Sequence, residues 1–295
     1  MANVAILALG NVNIANSNIQ ALGGSLWTSP NYIDIESYTG DINVDNSLIT
    51  LSSLAAPTSL DGVYLIAKQG LELKGSSSVI NNVGDIYLWA LTNDVSLKDS
   101  SFVDAFGNLD MLAVRDVNFS GSGYVKAGSL AKITSYGAVN GSSLSTNDII
   151  ADTLNISAAN GIGSGNAIKT KVNKLTSSNA VSLDTQIINN GTSNLEVLSL
   201  FNNGGDVHLT SDGDISITSL NAHTFVLSGG NAWVNSLNGS ILGVGAGTHV
   251  TSSFDLHLNS GNLIGSWGSY LPLNINVGKN LYLAINKTNS SIVVN

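Results

Sequence analysis

Apolar and polar residues alternate along most of this chain in short runs of three to five positions, as in Ile42-Asn43-Val44, Val63-Tyr64-Leu65 and Ile86-Tyr87-Leu88. Because successive side chains of an extended chain leave opposite faces, this alternation predicts β-strands. Gly, Asn, Asp and Ser residues separate the runs and leave no room for a helix of ordinary length. The pattern therefore predicts an all-β protein.

The runs recur with a regular period in the first half of the chain. Glycines that open an apolar, variable, apolar triplet are Gly40, Gly62, Gly84, Gly107 and Gly128, with spacings of 22, 22, 23 and 21 residues. A repeat of this length is typical of chains that stack one supersecondary unit, since a single unit cannot bury its own apolar face. Equivalent strands then lie parallel, and parallel crossovers are right-handed as a rule. We predict a single-stranded right-handed parallel β-helix, a solenoid, with about 22 residues per coil.

The triplets also predict which side chains face the interior. We expect the first and third members to point inward, namely Ile42, Val44, Val63, Leu65, Ile86, Leu88, Leu109 and Met111. The middle members Asn43, Tyr64, Tyr87 and Asp110 then face solvent. Second-face strands are predicted at 48–51, 71–73, 95–97 and 117–119.

A weaker signal continues through the second half of the chain. Runs at 149–150, 172–175 and 195–198 keep nearly the same period, and the phrases at 205–209 and 213–217 predict successive faces of one coil. Further strands are predicted at 225–227, 233–234, 254–258, 275–277 and 281–285, and corner loops at 27–32 and 267–272. The glycine-rich segments 161–165 and 243–247 predict tight corners, because no helix follows them to form a phosphate site.

The composition fits one folded solenoid. Only 11% of residues are charged but 43% are hydrophobic, and no linker-like segment interrupts the pattern. We expect one continuous β-helix over residues 1–295. Because the pattern has no capping helix at either end, we expect a fragment of a longer rod or a subunit that associates end to end.

The charge excludes two classes of partner. The net charge is −9 and Arg115 is the sole arginine, whereas nucleic acids and anionic membranes require clustered cations. Cysteine is absent, so no disulfide or thiolate metal site is expected. The apolar residues 1–10 continue the strand pattern and lack the basic start of a signal peptide. No apolar run is long enough for membrane insertion.

One segment resembles a known repeat. Gly161-Ile162-Gly163-Ser164 is followed by Ile168, Thr170, Val172 and Leu175, and the phrases at 187–191 and 205–209 come after it. This series resembles the repeats of large bacterial filamentous-haemagglutinin-like exoproteins. The resemblance implies a right-handed β-helical shaft of a secreted or cell-surface adhesin. We expect such a shaft to bind a host or neighbouring-cell receptor or glycan. A variant of this hypothesis is that uncapped rods assemble end to end into extracellular filaments.

Parallel β-helices also include polysaccharide-binding and polysaccharide-degrading proteins, which are the alternative. The acidic motifs of the hydrolases are absent, and we predict no enzyme, cofactor or metal site. Asp212 and Asp214 suit either a calcium site or an ordinary turn, and the sequence favours the turn. His208 and His257 suit solvated strand faces. Metal binding would require them to be stacked, and their separation is two predicted coils plus a remainder.

One feature predicts a ligand. Tyr64 and Tyr87 occupy the same outward position of successive coils, and Trp89 lies two residues further on. An exposed aromatic strip of this kind stacks on sugar rings, although cross-strand stacking for stability gives the same pattern. The predicted ligand-binding residues are therefore Tyr64, Tyr87 and Trp89, with a glycan as the ligand.

Overall fold

The computed structural model describes residues 3–23, 31–53, 61–191, 194–223, 230–265, 272–287 and 290–295, and every regular element in these ranges is a β-strand. The chain divides into two compact units, Met1–Asp152 (unit 1) and Thr153–Asn295 (unit 2). Within each unit the strands pair in parallel with strands one coil away. The predicted all-β parallel β-helix is confirmed. No helix in the described part of the chain has the length and apolar character needed to cross a bilayer.

The described residues of unit 1 form 18 strands, three in each coil. They are β1 (Asn3–Ala8), β2 (Val12–Ala15), β3 (Asn18–Gly23), β4 (Tyr32–Ser37), β5 (Ile42–Asp45), β6 (Leu48–Ser53), β7 (Gly62–Ala67), β8 (Leu71–Lys74), β9 (Ser78–Asn81), β10 (Asp85–Ala90), β11 (Val95–Leu97), β12 (Phe102–Ala105), β13 (Leu109–Ala113), β14 (Val117–Phe119), β15 (Tyr124–Ala127), β16 (Leu130–Ser135), β17 (Val139–Asn140) and β18 (Ile149–Ile150).

These strands form three parallel sheets, one for each face of the coil. The first sheet has the order β1-β4-β7-β10-β13-β16, the second β2-β5-β8-β11-β14-β17, and the third β3-β6-β9-β12-β15-β18. Every coil therefore contributes one strand to each sheet. Side chains that share a register position form columns that run from coil to coil.

Coil length differs along unit 1, which corrects part of the predicted register. Ile86 pairs with Leu109, as the predicted period requires. Val4 pairs with Ile33, however, and Ile33 with Val63, so these two coils are several residues longer than the regular ones. They contain the segments 24–30 and 54–60, which lie outside the described residues.

The longer coils shift two predicted strands to other faces. The phrase at Gly40 leads into β5 of the second sheet, whose partner is β8, and not into the strand next to β7. The run at 48–51 is β6 of the third sheet, and its partner is β9. The prediction that Gly40 and Gly62 mark the same face was wrong, because their separation is shorter than a whole coil in this part of the chain.

The predicted core of unit 1 is confirmed. Ile42, Val44, Val63, Leu65, Ile86, Leu88, Leu109 and Met111 are all fully buried. Their alternate neighbours lie on the outer faces and are half-buried, as the strand pattern of β10 illustrates. The interior is thus lined by aliphatic columns, one residue from every coil, which is the source of most of the stabilisation by apolar burial.

The described residues of unit 2 form the remaining 14 strands. They are β19 (Thr153–Ala158), β20 (Ile168–Lys171), β21 (Lys174–Asn179), β22 (Thr185–Asn189), β23 (Leu195–Asn202), β24 (Val207–Ser211), β25 (Ile215–Ile217), β26 (Leu220–Ala222), β27 (Ala232–Ser236), β28 (Ile241–Gly243), β29 (Val250–Ser252), β30 (Leu256–Ser260), β31 (Ile275–Val277) and β32 (Leu281–Ile285).

Two long strand series build unit 2. One has the order β19-β21-β23-β26-β29-β31 and the other β20-β22-β24-β27-β30-β32. The long strand β23 pairs through its first half with β25 and through its second half with β26, and β28 continues the series of β25. The register between β21 and β23 shifts between Leu175 and Thr176, where an irregularity interrupts the ladder.

Most predictions for unit 2 agree with this arrangement. The phrases at 205–209 and 213–217 form β24 and β25, which are successive strands on different faces. Gly161, Gly163, Gly245 and Gly247 have positive φ angles, so the glycine-rich segments are tight corners as predicted. The run at 149–150 forms β18 in the third sheet of unit 1, and the run at 172–175 leads into β21 of the first series of unit 2.

Three predictions fall wholly or largely outside the described residues. The strand predicted at 225–227 lies there, and so does most of each corner loop predicted at 27–32 and 267–272.

Candidate functional site

The outer face of the first sheet in unit 1 presents most of the candidate residues. We call the outward-facing residues of β4, β7, β10 and β13 the aromatic face. Two of its columns are Asp34, Tyr64, Tyr87 and Asp110, and Glu36, Ile66, Trp89 and Leu112, and a third contains Tyr32, Gly62 and Asp85. Adjacent members of a column are separated by the strand spacing of roughly 4.8 Å.

The structure brings the three predicted residues together. The rings of Tyr64 and Tyr87 are stacked with centroids 4.8 Å apart and an interplanar angle of 3°. Trp89 meets Tyr87 edge-on, with centroids 5.9 Å apart at 88°. Because each tyrosine covers one face of the other, the opposite ring faces, the ring edges and Trp89 are the surfaces left for a ligand.

Local packing fixes the tyrosine pair. Gly62 lies beside Tyr64, and a Cβ atom at this position would come within 2.7 Å of the Tyr64 ring. The hydroxyl of Tyr87 donates a hydrogen bond of 3.4 Å to Asp85. The pair is therefore held in one orientation before any ligand arrives, which lowers the entropy cost of binding.

Apolar side chains also lie beside the aromatic face. At the corner where the strands of the first sheet end, Tyr38 is 51% exposed, Leu91 37%, Val114 40% and Tyr136 65%. These residues follow β4, β10, β13 and β16 directly, so they line up beside the aromatic face. Lys68, which follows β7, lies at this corner between Tyr38 and Leu91. The apolar side chains of the corner therefore flank the aromatic face without forming one continuous patch.

Carboxylates surround the aromatic rings. Asp34 pairs in register with Tyr64, and Asp110 with Tyr87, so an acid lies at each end of the tyrosine pair. Burial raises the pKa of the Asp34 carboxyl above its ordinary value of 3.8, and the charge of Glu36 adds to this. Burial also raises the pKa of Tyr64, with further contributions from the charges of Asp85 and Asp34.

Two polar atoms of the aromatic face lack hydrogen-bond partners within the described residues. They are Oδ1 of Asp34, an acceptor, and Nε1 of Trp89, a donor, and both are buried. An unsatisfied buried group of this kind costs about 1–3 kcal/mol. Because neither atom is accessible to solvent, a ligand on the outer face does not reach them, and they are a local cost of the packing around the rings.

Sequence reasoning missed a second aromatic cluster, in unit 2. His208, Trp233, His257 and Tyr282 occupy one register column of β24, β27, β30 and β32. We call this column the ring ladder. Its centroid separations are 4.4, 5.1 and 4.3 Å, and no interplanar angle exceeds 9°.

The ring ladder corrects the interpretation of its two histidines. Both pair in register with Trp233, so His208 and His257 are two whole coils apart and do lie in one column. Trp233 lies between them, however, and they cannot bind one metal ion together. Among the described residues no group of three or more His, Cys, Asp or Glu side chains could hold a metal. The sequence feature that indicates the ring ladder is an aromatic side chain at each of the almost equally spaced positions 208, 233, 257 and 282.

The acids at 212 and 214 lie beside the corner before β25. One oxygen of Asp214 accepts a hydrogen bond of 2.6 Å from the backbone N–H of Ser240, one coil further on. This bond connects successive coils, as the corresponding bond of Asp206 with Asn231 does at 3.0 Å. Asp214 therefore has a structural role in the corner.

A polar groove of about 330 Å³ lies beside the second sheet of unit 1, with Glu72, Lys98, Asp94 and Arg115 in its lining. Lys98 forms an ion pair with Glu72, and Arg115 lies 3.8 Å from Asp94. Because these opposite charges compensate each other, the groove has less net charge to offer a ligand than the aromatic face.

Comparison with known proteins identifies no relative. No protein-family model matches the chain, and neither a curated protein nor a solved structure gives a significant match. The resemblance to filamentous-haemagglutinin-like exoproteins therefore depends on the repeat phrases alone.

Proposed function

We propose that this protein is a noncatalytic, adhesive β-solenoid of a secreted or cell-surface exoprotein, and that the aromatic face of unit 1 binds a polysaccharide. The stacked coils act as the shaft, and the side-chain columns on the first sheet act as the contact surface. End-to-end association into filaments belongs to the same proposal.

The observation that carries this proposal is the pre-ordered cluster of Tyr64, Tyr87 and Trp89 on the outer surface of a sheet. Glycans contact proteins through aromatic rings that pack on C–H groups and through polar groups that bind hydroxyls. The aromatic face offers both kinds of group. The carboxylates of Asp34 and Glu36, which lie in register with Tyr64 and Ile66, are the acceptors for hydroxyl groups beside the rings.

The geometry of the sheet also suits an extended chain of sugars. The columns repeat at roughly 4.8 Å along the strand-stacking direction. A pyranose unit in an extended β-1,4-linked glycan has a length similar to this spacing, so each sugar can meet one coil. A repetitive ligand on a repetitive surface gains affinity by multivalency, which is the advantage of a solenoid as an adhesin.

A glycan array with the full-length chain tests this proposal, and isothermal titration with the best oligosaccharide then gives the affinity. We expect binding that Tyr87→Ala weakens roughly two- to tenfold, the range for loss of an aromatic contact. The matched control is Tyr124→Ala, which removes a ring that stacks on Phe102 at 5.5 Å on the third sheet. Equal losses in the two variants, or no glycan bound, would contradict the assignment.

The same experiment distinguishes binding from degradation. Each glycan that binds is incubated with the protein, and new reducing ends or unsaturated products are measured. Accumulation of product would replace the noncatalytic proposal with the polysaccharide-degrading alternative.

The proposed location needs its own measurement. Intact producing cells are treated with a protease that does not enter them, and the protein is followed by immunoblot. We expect it to be digested or to be found in the medium, while a cytoplasmic marker stays intact. Protection equal to that of the marker would contradict an exoprotein.

A further inference from the structure

The charge around the aromatic face is unbalanced. Asp34, Glu36, Asp85 and Asp110 contribute four carboxylates, and Lys132 is the one ammonium group that pairs with them among the described residues. Lys132 contacts Asp110 at 2.9 Å. At the other end of the tyrosine column, on β4, Asp34 and Glu36 are in none of the ion pairs of the described residues, and Lys68 lies at the corner beside the end of this strand.

The two carboxylates on β4 are next to each other on the same face. Asp34 and Glu36 alternate with the buried Ile35 and project from the outer side of the strand. Neither acid has a Lys, Arg or His side chain within ion-pair distance among the described residues. The seven ion pairs found there contain neither Asp34 nor Glu36. The mutual repulsion of this pair contributes to the raised pKa of Asp34.

The acids also lie directly against the aromatic rings. Asp34 is the register partner of Tyr64, and Glu36 is the register partner of Ile66. A cation at this position would meet two carboxylates and the electron-rich ring system of the tyrosine pair at once. Charge complementarity therefore indicates a positively charged ligand.

We propose that the aromatic face selects a cationic glycan, an oligosaccharide of amino sugars that carry free ammonium groups. One ammonium group lies between Asp34 and Glu36 at the Tyr64 end of the column, and the sugar rings follow the column past Tyr87 and Trp89. This inference deepens the proposed polysaccharide binding and rests on it.

An amino sugar fits better than other cations because it combines three properties. Its ammonium group complements Asp34 and Glu36, its hydroxyls donate hydrogen bonds to the carboxylates of the same acids, and its ring C–H groups pack against the aromatic side chains. A lysine-rich peptide offers the charge without the hydroxyl groups. It is the competing occupant in the test below.

The first experiment compares three β-1,4-linked hexasaccharides by isothermal titration with the full-length protein. They are the hexamers of glucosamine, N-acetylglucosamine and glucose, of which only the first is charged. At low salt we expect glucosamine hexamer to bind about tenfold more tightly than either neutral hexamer, from two or three partly exposed charge contacts. We expect the difference to shrink in about 0.5 M salt, because screening weakens exposed ion pairs.

The second experiment locates the cation site. The double variant Asp34→Asn/Glu36→Gln should lose most of the tenfold preference, measured as the ratio of the affinities for glucosamine hexamer and for glucose hexamer. The matched control, Asp45→Asn/Asp104→Asn, removes two carboxylates that pair with Lys74 and Lys126 on other faces of unit 1. It should keep the preference, and a loss of preference in the control would assign the effect to net charge and overturn the site.

The outcomes separate this inference from the function on which it rests. Equal affinity for all three hexamers, with loss of binding in Tyr87→Ala, overturns the cation preference and leaves polysaccharide binding intact. Absence of binding to every glycan overturns both. A lysine hexapeptide that binds as tightly as glucosamine hexamer, and is equally sensitive to Asp34→Asn/Glu36→Gln, overturns the glycan as occupant.

Discussion

At single residues, the recurring Gly-Asp and Gly-Asn phrases have a common structural cause. The side chain of the Asp or Asn accepts a hydrogen bond from the backbone of the next coil, as Asp85 does from Asn108 N at 2.6 Å and Asp41 from Gly70 N at 2.8 Å. The glycine leaves space for this contact, and a Cβ atom on Gly107 would lie 2.2 Å from Asp85 Oδ1. Since several corners of the coil have the same requirement, the phrase does not mark one face.

Alanine substitutions at two of these glycines should have different effects. A Cβ atom on Gly84 would lie 2.0 Å from the backbone oxygen of Asp61, whereas Gly10 has no atom within 4 Å. We expect Gly84→Ala to lower the free energy of unfolding by about 1–3 kcal/mol, because the backbone must shift to relieve the overlap. Urea unfolding measures this, with Gly10→Ala as the control that should change little. Similar losses in both variants would show that space at the corner is not the cause.

The raised pKa of Asp34 predicts a pH-dependent stability. Between the ordinary value of 3.8 and the raised pKa, the folded protein binds a proton that the unfolded chain has lost. Stability therefore falls as pH rises through this window, and the cost persists above it. We expect the Asp34→Asn protein to be more stable than the wild type at pH 7. Its stability should also lack the part of the decrease with rising pH that the ionisation of Asp34 causes.

Thermal unfolding between pH 3.5 and pH 7 tests this expectation. The control is Asp104→Asn, which removes an acid that pairs with Lys126 at 2.8 Å and should lower stability by up to about 1 kcal/mol. A destabilised Asp34→Asn protein would contradict the unfavourable burial of this acid. A stable variant with weaker glucosamine binding would instead indicate that the site sacrifices stability for function.

At the level of strands, identical positions in neighbouring coils act together as columns. In unit 1 the inner columns are mostly aliphatic and buried, while outer columns contain stacked rings, aligned amides or ion pairs. The amide of Asn140, for example, donates to Asn118 Oδ1 at 2.8 Å. Cross-strand pairs of this kind contribute roughly 0.2–1 kcal/mol each, so the outer faces add to the stability of the coils.

The ring ladder allows this contribution to be measured. Trp233 stacks on both His208 and His257, whereas Tyr282 stacks on His257 alone. We expect Trp233→Ala to lower the free energy of unfolding by about 1–3 kcal/mol beyond the loss of buried area, and Tyr282→Ala by about half as much. Urea unfolding followed by circular dichroism gives both values. A larger effect of Tyr282→Ala would contradict additive stacking.

At the level of the whole molecule, contacts connect each coil mainly with the next. Within unit 1 the strand β10 pairs with β7 on one side and β13 on the other, each one coil away. The stability of such a chain is approximately a sum over coils and their interfaces, so local damage should fade with distance. The same repetition applies to the binding face, because each coil adds one outward-facing residue to every column.

A core substitution tests this nearest-neighbour behaviour. Leu88 is fully buried in β10, and Leu88→Ala should cost about 2–5 kcal/mol through the cavity it leaves. Hydrogen exchange with mass spectrometry should then show the largest loss of protection in β7, β10 and β13, and less in β1 and β16. The control is Leu112→Ala on the outer face of β13, which should change exchange little. A uniform loss of hydrogen-exchange protection across unit 1 would show that its coils unfold as a single cooperative unit, and would contradict nearest-neighbour behaviour.

The fold and the candidate site were predictable to different degrees. Strand positions and inward-facing residues followed from alternation, since a one-residue change of phase would expose every aliphatic side chain. The pairing of Tyr64 with Tyr87 followed from a coil of regular length. The neighbours Asp34 and Glu36 were missed, because a longer coil separates β4 from β7 and the regular period led to Gly40 instead.

Buried polar contacts were also beyond prediction from sequence. Asn179 is fully buried in unit 2 and donates to Asn202 Oδ1 at 2.6 Å, one coil further on. An asparagine near a turn suits a solvent-exposed corner equally well. Its burial depends on which coil lies above it.

The sequence by itself determined that the chain forms short strands, which side chains point inward, and where the corners occur. These features depend on local backbone geometry and on the alternation of inward and outward side chains along a strand, and residues adjacent in the sequence determine both. Only the tertiary structure decided which strands are neighbours, and so placed Asp34 beside Tyr64 and Trp233 between two histidines. The physical reason is that coil length varies within unit 1, and register depends on the length of each whole coil.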